Sequence, residues 1–344
     1  MDTDTTDTPD TSGVLDEALQ RLHASGPERL GRLTNHAPMV AEALVAHGQQ
    51  AAVHRWLDRY EDLLEDFPAP VAPVTDADWA AALGDPRRAA DWIAYFTRAL
   101  SEDGWRSLLA TWWPRLLPGM CGGSTHPVIR TGHAVRALLD HGETEPRLAE
   151  LAHALGYWAA RHHPLPGITW LPGATDADDA LDAVPAIRVR EGGFPTRLAL
   201  VGGLPAWSGD VTGPDAARRG LTELVRAATH RYATHGHGDA TMLVHAATAP
   251  NAVLRSLRAL PRTLWVPSLH AAWKASAAVT AMYAPAEPVP AVPPRRISAG
   301  EVVERALAHG DEHVIKLTDT ALDVGDEQAL AAALRAVELS APAR

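Results

Sequence analysis

Val14-Leu15-Asp16-Glu17-Ala18-Leu19-Gln20-Arg21-Leu22 sets the pattern by which the rest of the chain is read. Val14, Leu15, Ala18, Leu19 and Leu22 share one face of a helix of 3.6 residues per turn, and the charged residues take the other. Such a stripe is stable only when it is buried against another element. The same spacing predicts helices over 39–47, 128–139 and 147–161. Asp85-Pro86, a capping residue followed by proline at the first helical position, opens another that runs through residue 100. Helices are expected again over 214–232, around 240–247, and over 251–260 and 267–283. Ser298 with Glu301 three residues on forms a capping box and opens a last group over 301–339. There is no internal repeat and no alternation of strand with helix. The expected fold is all-α: a compact multi-helical single domain over 13–344. The preceding tail, residues 1–12, is Thr, Asp and Pro with nothing to bury, and is expected to be disordered.

Residues 163–214 break the pattern. Pro164, Pro166, Gly167, Pro172, Gly173, Gly192, Gly193, Pro195, Gly202, Gly203, Pro205 and Gly213 interrupt any long element. Ile187-Arg188-Val189-Arg190 before Glu191-Gly192-Gly193 could form a short hairpin. A long irregular segment of this kind is either a lid or binding loop, or a plain connection between helical halves. A proline-rich linker follows later, at Pro285, Pro288, Pro290, Pro293 and Pro294.

At 344 residues, 46% of them hydrophobic, the chain is long enough to bury a substantial core. The net charge of -11, with no run of Lys or Arg, makes nucleic acid and anionic membrane poor partners. Cys121 stands alone, so no internal disulfide is possible, which suits a reducing compartment. The N-terminus is acidic and lacks the basic start and apolar stretch of a signal peptide, and no apolar run is long enough to span a bilayer. Cytoplasm is the expected location; oligomeric state is not legible. Several reaction classes lack their motifs: there is no Gly-x-Gly-x-x-Gly after a strand, no phosphate loop, no nucleophile elbow and no His-Glu-x-x-His.

The chain is instead rich in histidine, with 17. Several interrupt apolar segments: Asn35-His36-Ala37-Pro38-Met39, Thr125-His126-Pro127-Val128-Ile129, Met242-Leu243-Val244-His245 and Asp311-Glu312-His313-Val314-Ile315-Lys316. A buried imidazole costs free energy unless something binds it. A metal ion with nitrogen ligands is one such partner. His126, Arg130 and His133 form a polar stripe on one otherwise apolar helix, either functional or satisfied by a polar network with neighbouring helices. His245 alone reads as easily as a hydrogen-bonded core residue. His313 and Lys316, three apart, share a helix face, as do His270 and Lys274, four apart. For both pairs an exposed polar face is the alternative. His235-Gly236-His237-Gly238 looks like a surface turn, and His162 and His163 sit at a helix end where the helix dipole favours them. The 11 Trp against 3 Phe and 5 Tyr fill a core or face a flat ligand.

Taken together, Asn35-His36, Thr125-His126-Pro127 with Ile129 and Gly132, Asp239 through His245, and Asp311 through Lys316 resemble the questin oxidase family, in the family's order and over most of the chain. Leu116-Pro118-Gly119 and Ala249-Pro250-Asn251 resemble its bacterial members. The family includes enzymes that open anthraquinone rings by oxygen insertion, described as Baeyer-Villiger-type and NADPH-linked. It also includes ring-cleaving dioxygenases whose non-haem iron is held by histidines and a carboxylated lysine. The resemblance therefore implies His36, His126, His245 and His313 as ligands of Fe(II), with Lys316 as the lysine. His270 with Lys274 is the competing pair and His133 a competing histidine. Arg130 and His133 are the candidate catalytic residues. Trp112, Trp113, Trp158, Trp170 and Trp273 are candidates to face a planar substrate, with Trp113, Trp158 and Trp273 foremost. Arg130 stands where some relatives carry histidine, and Met39-Val40-Ala41 where fungal relatives carry a second histidine cluster. The implied function is an oxygenase using O2 on an aromatic polyketide-type ring. The alternatives are an NADPH-linked monooxygenase, and a non-catalytic helical protein that binds a small molecule and has a degraded metal site.

Overall fold

Apolar stripes at helical spacing become helices wherever a second helix can cover them, and the computed structural model shows which ones do so. It describes residues 13–165, 167–207, 211–290 and 297–343. The expected tail, residues 1–12, and Pro293 and Pro294 of the linker lie outside the described residues. Among the described residues the protein is mainly α-helical, with thirteen helices of ten residues or more. These are α1 (Val14–His23), α2 (Ala37–Ala46), α3 (Gln50–Tyr60), α4 (Ala89–Asp103), α5 (Trp105–Leu116), α6 (His126–His141), α7 (Glu145–Ala160), α8 (Pro214–His235), α9 (His245–Ser256), α10 (Trp265–Tyr283), α11 (Ala299–His309), α12 (Glu312–Val324) and α13 (Glu327–Leu339). On α1, Leu15, Ala18, Leu19 and Leu22 are buried as the pattern requires. The Asp85 side chain accepts from Arg87 N, and the Ser298 hydroxyl from Glu301 N. Both are caps read from sequence. One hydrophobic cluster runs from Leu15 to Ala336.

Four helices form the centre. α2 packs on α6, α6 on α9, α9 on α12, and α12 back on α2, closing a ring. The approach of α6 to α9 requires Gly132, where a Cβ would stand 2.6 Å from the Ala252 Cα. α7 covers α6 from outside and α4 covers α7 in turn, α8 and α10 cover α9, and α13 covers α12.

Two expectations are corrected. Two separate helices were expected, around 240–247 and over 251–260. Instead Pro250 lies inside α9. Proline has no N–H to offer the carbonyl one turn back. Here the Ser276 hydroxyl of α10 donates to the Ala246 carbonyl at 2.7 Å, so that oxygen keeps a partner and the helix continues. The hairpin expected at 187–190 is absent too. Ile187 N donates to Ala281 O of α10 at 3.0 Å, so the segment is tied to a helix rather than to a strand. The small sheets lie elsewhere: β1 (Glu28–Arg29) pairs antiparallel with β2 (Leu33–Thr34), and β3 (Thr169–Leu171) pairs parallel with β4 (Gly203–Pro205). Residues 163–214 also hold two short helices, Ala177–Asp182 and Phe194–Leu198. Their contacts run to α8 and α10. Among the described residues no helix is long and apolar enough to cross a membrane.

Candidate metal centre

Each of the four central helices begins at a histidine. His36 caps α2, His126 and His245 are the first residues of α6 and α9, and His313 is the second residue of α12. Local chemistry fixes each start. Asn35 Oδ1 accepts from Ala37 N at 3.0 Å, while its amide donates to Gly26 O at 3.1 Å, and Pro38 follows in the first turn. Before His126, Ser124 and Thr125 both adopt left-handed backbone (φ 55° and 68°). Such residues cost about 1–3 kcal/mol each and persist only where the surroundings hold them, often at functional sites. Asp239 Oδ1 accepts from Met242 N at 2.9 Å at the approach to α9. Asp311 Oδ1 accepts from both His313 N (2.9 Å) and Val314 N (3.0 Å), the cap that launches α12.

The helix ring brings these four starts to one place. Nε2 of His126 lies 2.8 Å from Nε2 of His36 and 2.9 Å from Nε2 of His245. The His313 ring centroid is 4.7 Å from that of His36 and 5.5 Å from that of His245. The tautomers follow from the backbone. His126 Nδ1 sits 2.8 Å from Gly123 O and His245 Nδ1 sits 3.1 Å from Met242 O. A carbonyl only accepts, so both Nδ1 atoms carry the hydrogen, and in the neutral rings both Nε2 atoms are bare. Two lone pairs then face each other at 2.9 Å. Only a shared proton or a cation makes that favourable. A proton is disfavoured, because burial, reinforced by the Lys316 charge, holds all four imidazoles well below their usual pKa. The positive ends of four helix dipoles act in the same direction. A metal ion fits: ligand nitrogens at ~2.1 Å and right angles stand about 3 Å apart. The described residues thus hold a buried cluster able to bind a metal, with His36, His126 and His313 close enough together to ligate one ion.

Lys316 is 1% exposed, and its Nζ has no hydrogen-bond partner. Burial lowers its ammonium to about 7 against the pull of Glu312 and Asp311. The exposed helix face considered for His313 and Lys316 is therefore excluded. Lys274, the competitor, is half-buried elsewhere, its Nζ 5.6 Å from the centroid of the Trp170 ring.

Around the rings lies an outer layer that the sequence did not announce. Arg29 of β1 donates to Glu312 Oε1, and that oxygen lies 3.6 Å from His36 Nδ1. The Tyr60 hydroxyl accepts from His36 N at 3.1 Å. Arg29 carried no signal, in a polar turn far from any motif. Glu42 did carry one, as a lone carboxylate inside the apolar run of α2.

Arg130 is engaged in a buried ion pair and His133 in a buried hydrogen bond to a carboxylate. Arg130 grips Glu150 of α7 through two bonds (2.6 and 2.8 Å), and His23 Nε2 approaches the same carboxylate at 3.1 Å. His133 Nδ1 donates to Glu42 at 2.6 Å. Arg136 joins Glu42 (2.7 Å) to Asp319 (2.9 Å), and Arg255 also reaches Asp319 at 2.8 Å. Trp113, Trp158 and Trp273 are all fully buried. Trp113 meets Trp158 edge-on at 5.3 Å and donates to Ser268 Oγ at 2.9 Å. Trp273 donates to Pro205 O at 2.9 Å. Trp158 Nε1 has no partner. Trp112 belongs to an aromatic cluster with Trp79, Trp92, Tyr95 and Phe96, and Trp170 is exposed. A cavity of about 450 Å3 is lined by Arg136, Asn251, Arg255, Trp265 and Asp323 among others, and by none of the four histidines.

No curated protein matches the chain. The sequence model of the questin oxidase-like family matches residues 33–164, a segment that carries His36 and His126 and ends before His245, His313 and Lys316. Over that segment the chain is similar to the questin oxidase-like family.

Proposed function

We propose that the protein is a non-haem iron oxygenase of questin-oxidase type, acting with O2 on a planar aromatic, quinone-like small molecule. In this reading His36, His126, His245 and His313 bind Fe(II) through nitrogen, and Lys316 adds an anionic oxygen as its carbamate. The observation that carries it is the meeting of bare Nε2 atoms from His126 and His245 at 2.9 Å, with His36 Nε2 2.8 Å from the first. Neutral imidazoles with one anionic oxygen suit ferrous iron. Bound iron supplies the one-electron chemistry that O2 requires.

The chain's own residues do the rest. The carbonyls of Gly123 and Met242 fix two ring tautomers, so no proton has to leave before the metal enters. A lysine ammonium lowered to about 7 supplies neutral amine near neutral pH. The Nζ lone pair attacks CO2, a C–N bond forms and one amine proton is released, leaving a carbamate anion. Trp158, the one of the three candidate tryptophans whose buried indole has no hydrogen-bond partner, would donate to an oxygen of the substrate. Arg130, ion-paired to Glu150, and His133, hydrogen-bonded to Glu42, support α6 and through it the position of His126.

Metal analysis after anaerobic purification tests the reading. It expects about one iron per chain, lost in a folded His126→Ala variant. A wild-type chain that neither contains nor takes up Fe(II) overturns it. Substrate-dependent NADPH oxidation by such metal-free protein would identify the NADPH-linked monooxygenase instead.

A further inference from the structure

A metal centre is set by the groups behind its ligands as much as by the ligands. Behind His36 and His313 lies a single carboxylate oxygen. Glu312 Oε1 is 3.6 Å from Nδ1 of His36 and 4.0 Å from Nδ1 of His313, rings that belong to two different helices. The His36 Nδ1 has no hydrogen-bond partner, and no backbone carbonyl fixes its tautomer as in His126 and His245. The same Oε1 accepts from Arg29 Nη2, and the Arg29 guanidinium lies over the Tyr60 ring, 5.4 Å from its centroid. The Tyr60 hydroxyl in turn accepts from His36 N. Arg29 sits on β1, outside the helix ring, and its side chain is only 13% exposed. Glu312 is also close enough to its neighbours Asp311 and His313 to serve as a ligand itself.

We infer that Arg29 and Glu312 are positioning residues of the centre: Arg29 holds the Glu312 carboxylate on the outer side of His36 and His313, where it orients both rings with Nδ1–H outward, and keeps it from becoming a ligand. This rests on the metal reading above. An anion placed against both Nδ1 atoms favours the hydrogen there, so each ring turns its bare nitrogen inward, and it makes both imidazoles stronger donors. Without Arg29, the carboxylate is a buried anion with no cation of its own, beside a divalent ion.

The test uses Co(II) as probe, with affinity from chelator competition and coordination from the visible absorption of the loaded protein. Glu312→Gln keeps the shape and removes the charge; it is expected to loosen Co(II) by about tenfold to a hundredfold. Arg29→Met is expected to shift the Co(II) bands, as the freed carboxylate moves onto the metal, and Arg29→Lys to restore the wild-type bands. The double variant Arg29→Met with Glu312→Gln removes both charges at once and covers the case in which a single variant fails to fold. It should bind as weakly as Glu312→Gln and lack the Arg29→Met band shift. Wild-type affinity and bands in all the folded variants would overturn the inference and leave the metal reading standing. A wild-type chain that does not bind Co(II) would overturn both.

Discussion

Two turns along α6 from His126, His133 donates from Nδ1 to Glu42 at 2.6 Å. The same residue type on one helix thus serves two purposes. His126 turns a bare nitrogen towards other imidazoles, and His133 turns an N–H towards a carboxylate. The partner decides which. His126 meets the starts of α2 and α9, whereas His133 meets the interior of α2, where Glu42 stands.

The His133 side of α6 is expected to carry stability. Asp319 accepts from Arg136 at 2.9 Å and meets Arg255 and His47 at 2.8 Å each. Asp319→Ala leaves two buried guanidiniums short of an anion, which should cost about 3–5 kcal/mol. Urea denaturation at neutral pH measures it. A loss below about 1 kcal/mol would place the network among pairs of little worth.

Acid should destabilise the metal-free protein in two steps. The first comes from the four imidazoles, held well below their ordinary value of 6.5 by burial. Below pH 6.5 the unfolded chain takes up protons that the folded chain refuses. Stability is therefore full above 6.5 and falls as pH drops towards the lower folded values, by up to ~1.4 kcal/mol per pH unit for each ring. Equal stability of metal-free protein at pH 7 and pH 5.5 would contradict this.

The second step belongs to Glu150. Burial alone would raise its pKa, but Arg130 and His23 hold it at about 2, against 4.5 for a free glutamate. Its contribution is present above pH 4.5 and is lost as pH falls towards 2, up to about 3 kcal/mol. Glu150→Gln should flatten the acid limb of the stability curve between those values. An unchanged limb would show that the pair contributes nothing there.

Lys316 should make metal binding depend on CO2. With the amine at about 7, carbamate forms more readily as pH rises through 7 to 8. Bicarbonate should tighten Fe(II) binding by the wild-type chain, and 13C-labelled bicarbonate should give a carbamate resonance. Lys316→Ala should bind more weakly and ignore bicarbonate. If Lys316→Ala keeps full iron content and activity, the assignment would be falsified.

Metal should stabilise the fold through the four rings acting together. At a free concentration a thousand times Kd, binding adds about 4 kcal/mol. Thermal denaturation should show a metal-dependent rise in Tm for the wild-type chain and none for His245→Ala, the variant that removes one of the two facing lone pairs. A rise of equal size in both would mean that the ion binds elsewhere.

The sequence by itself determined the helices and the residues that open them. Helical spacing and caps are local: Leu15, Ala18, Leu19 and Leu22 need only a period, and Ser298 needs only the N–H of Glu301. It also placed a histidine in each of four apolar segments, which burial makes costly wherever those segments meet. The tertiary structure alone decided that they do meet. Helix periodicity carries no information about which helices touch, and the ring of α2, α6, α9 and α12 joins residues as far apart as His36 and His313. Packing also decided that α9 runs through Pro250, because the donor that replaces the missing N–H is Ser276 of another helix. It separated Lys316 from Lys274, whose sequence surroundings look alike but whose helices face different neighbours. Arg29 became a neighbour of the centre only because a two-residue strand carries it to Glu312, a contact across 283 positions that no local pattern encodes.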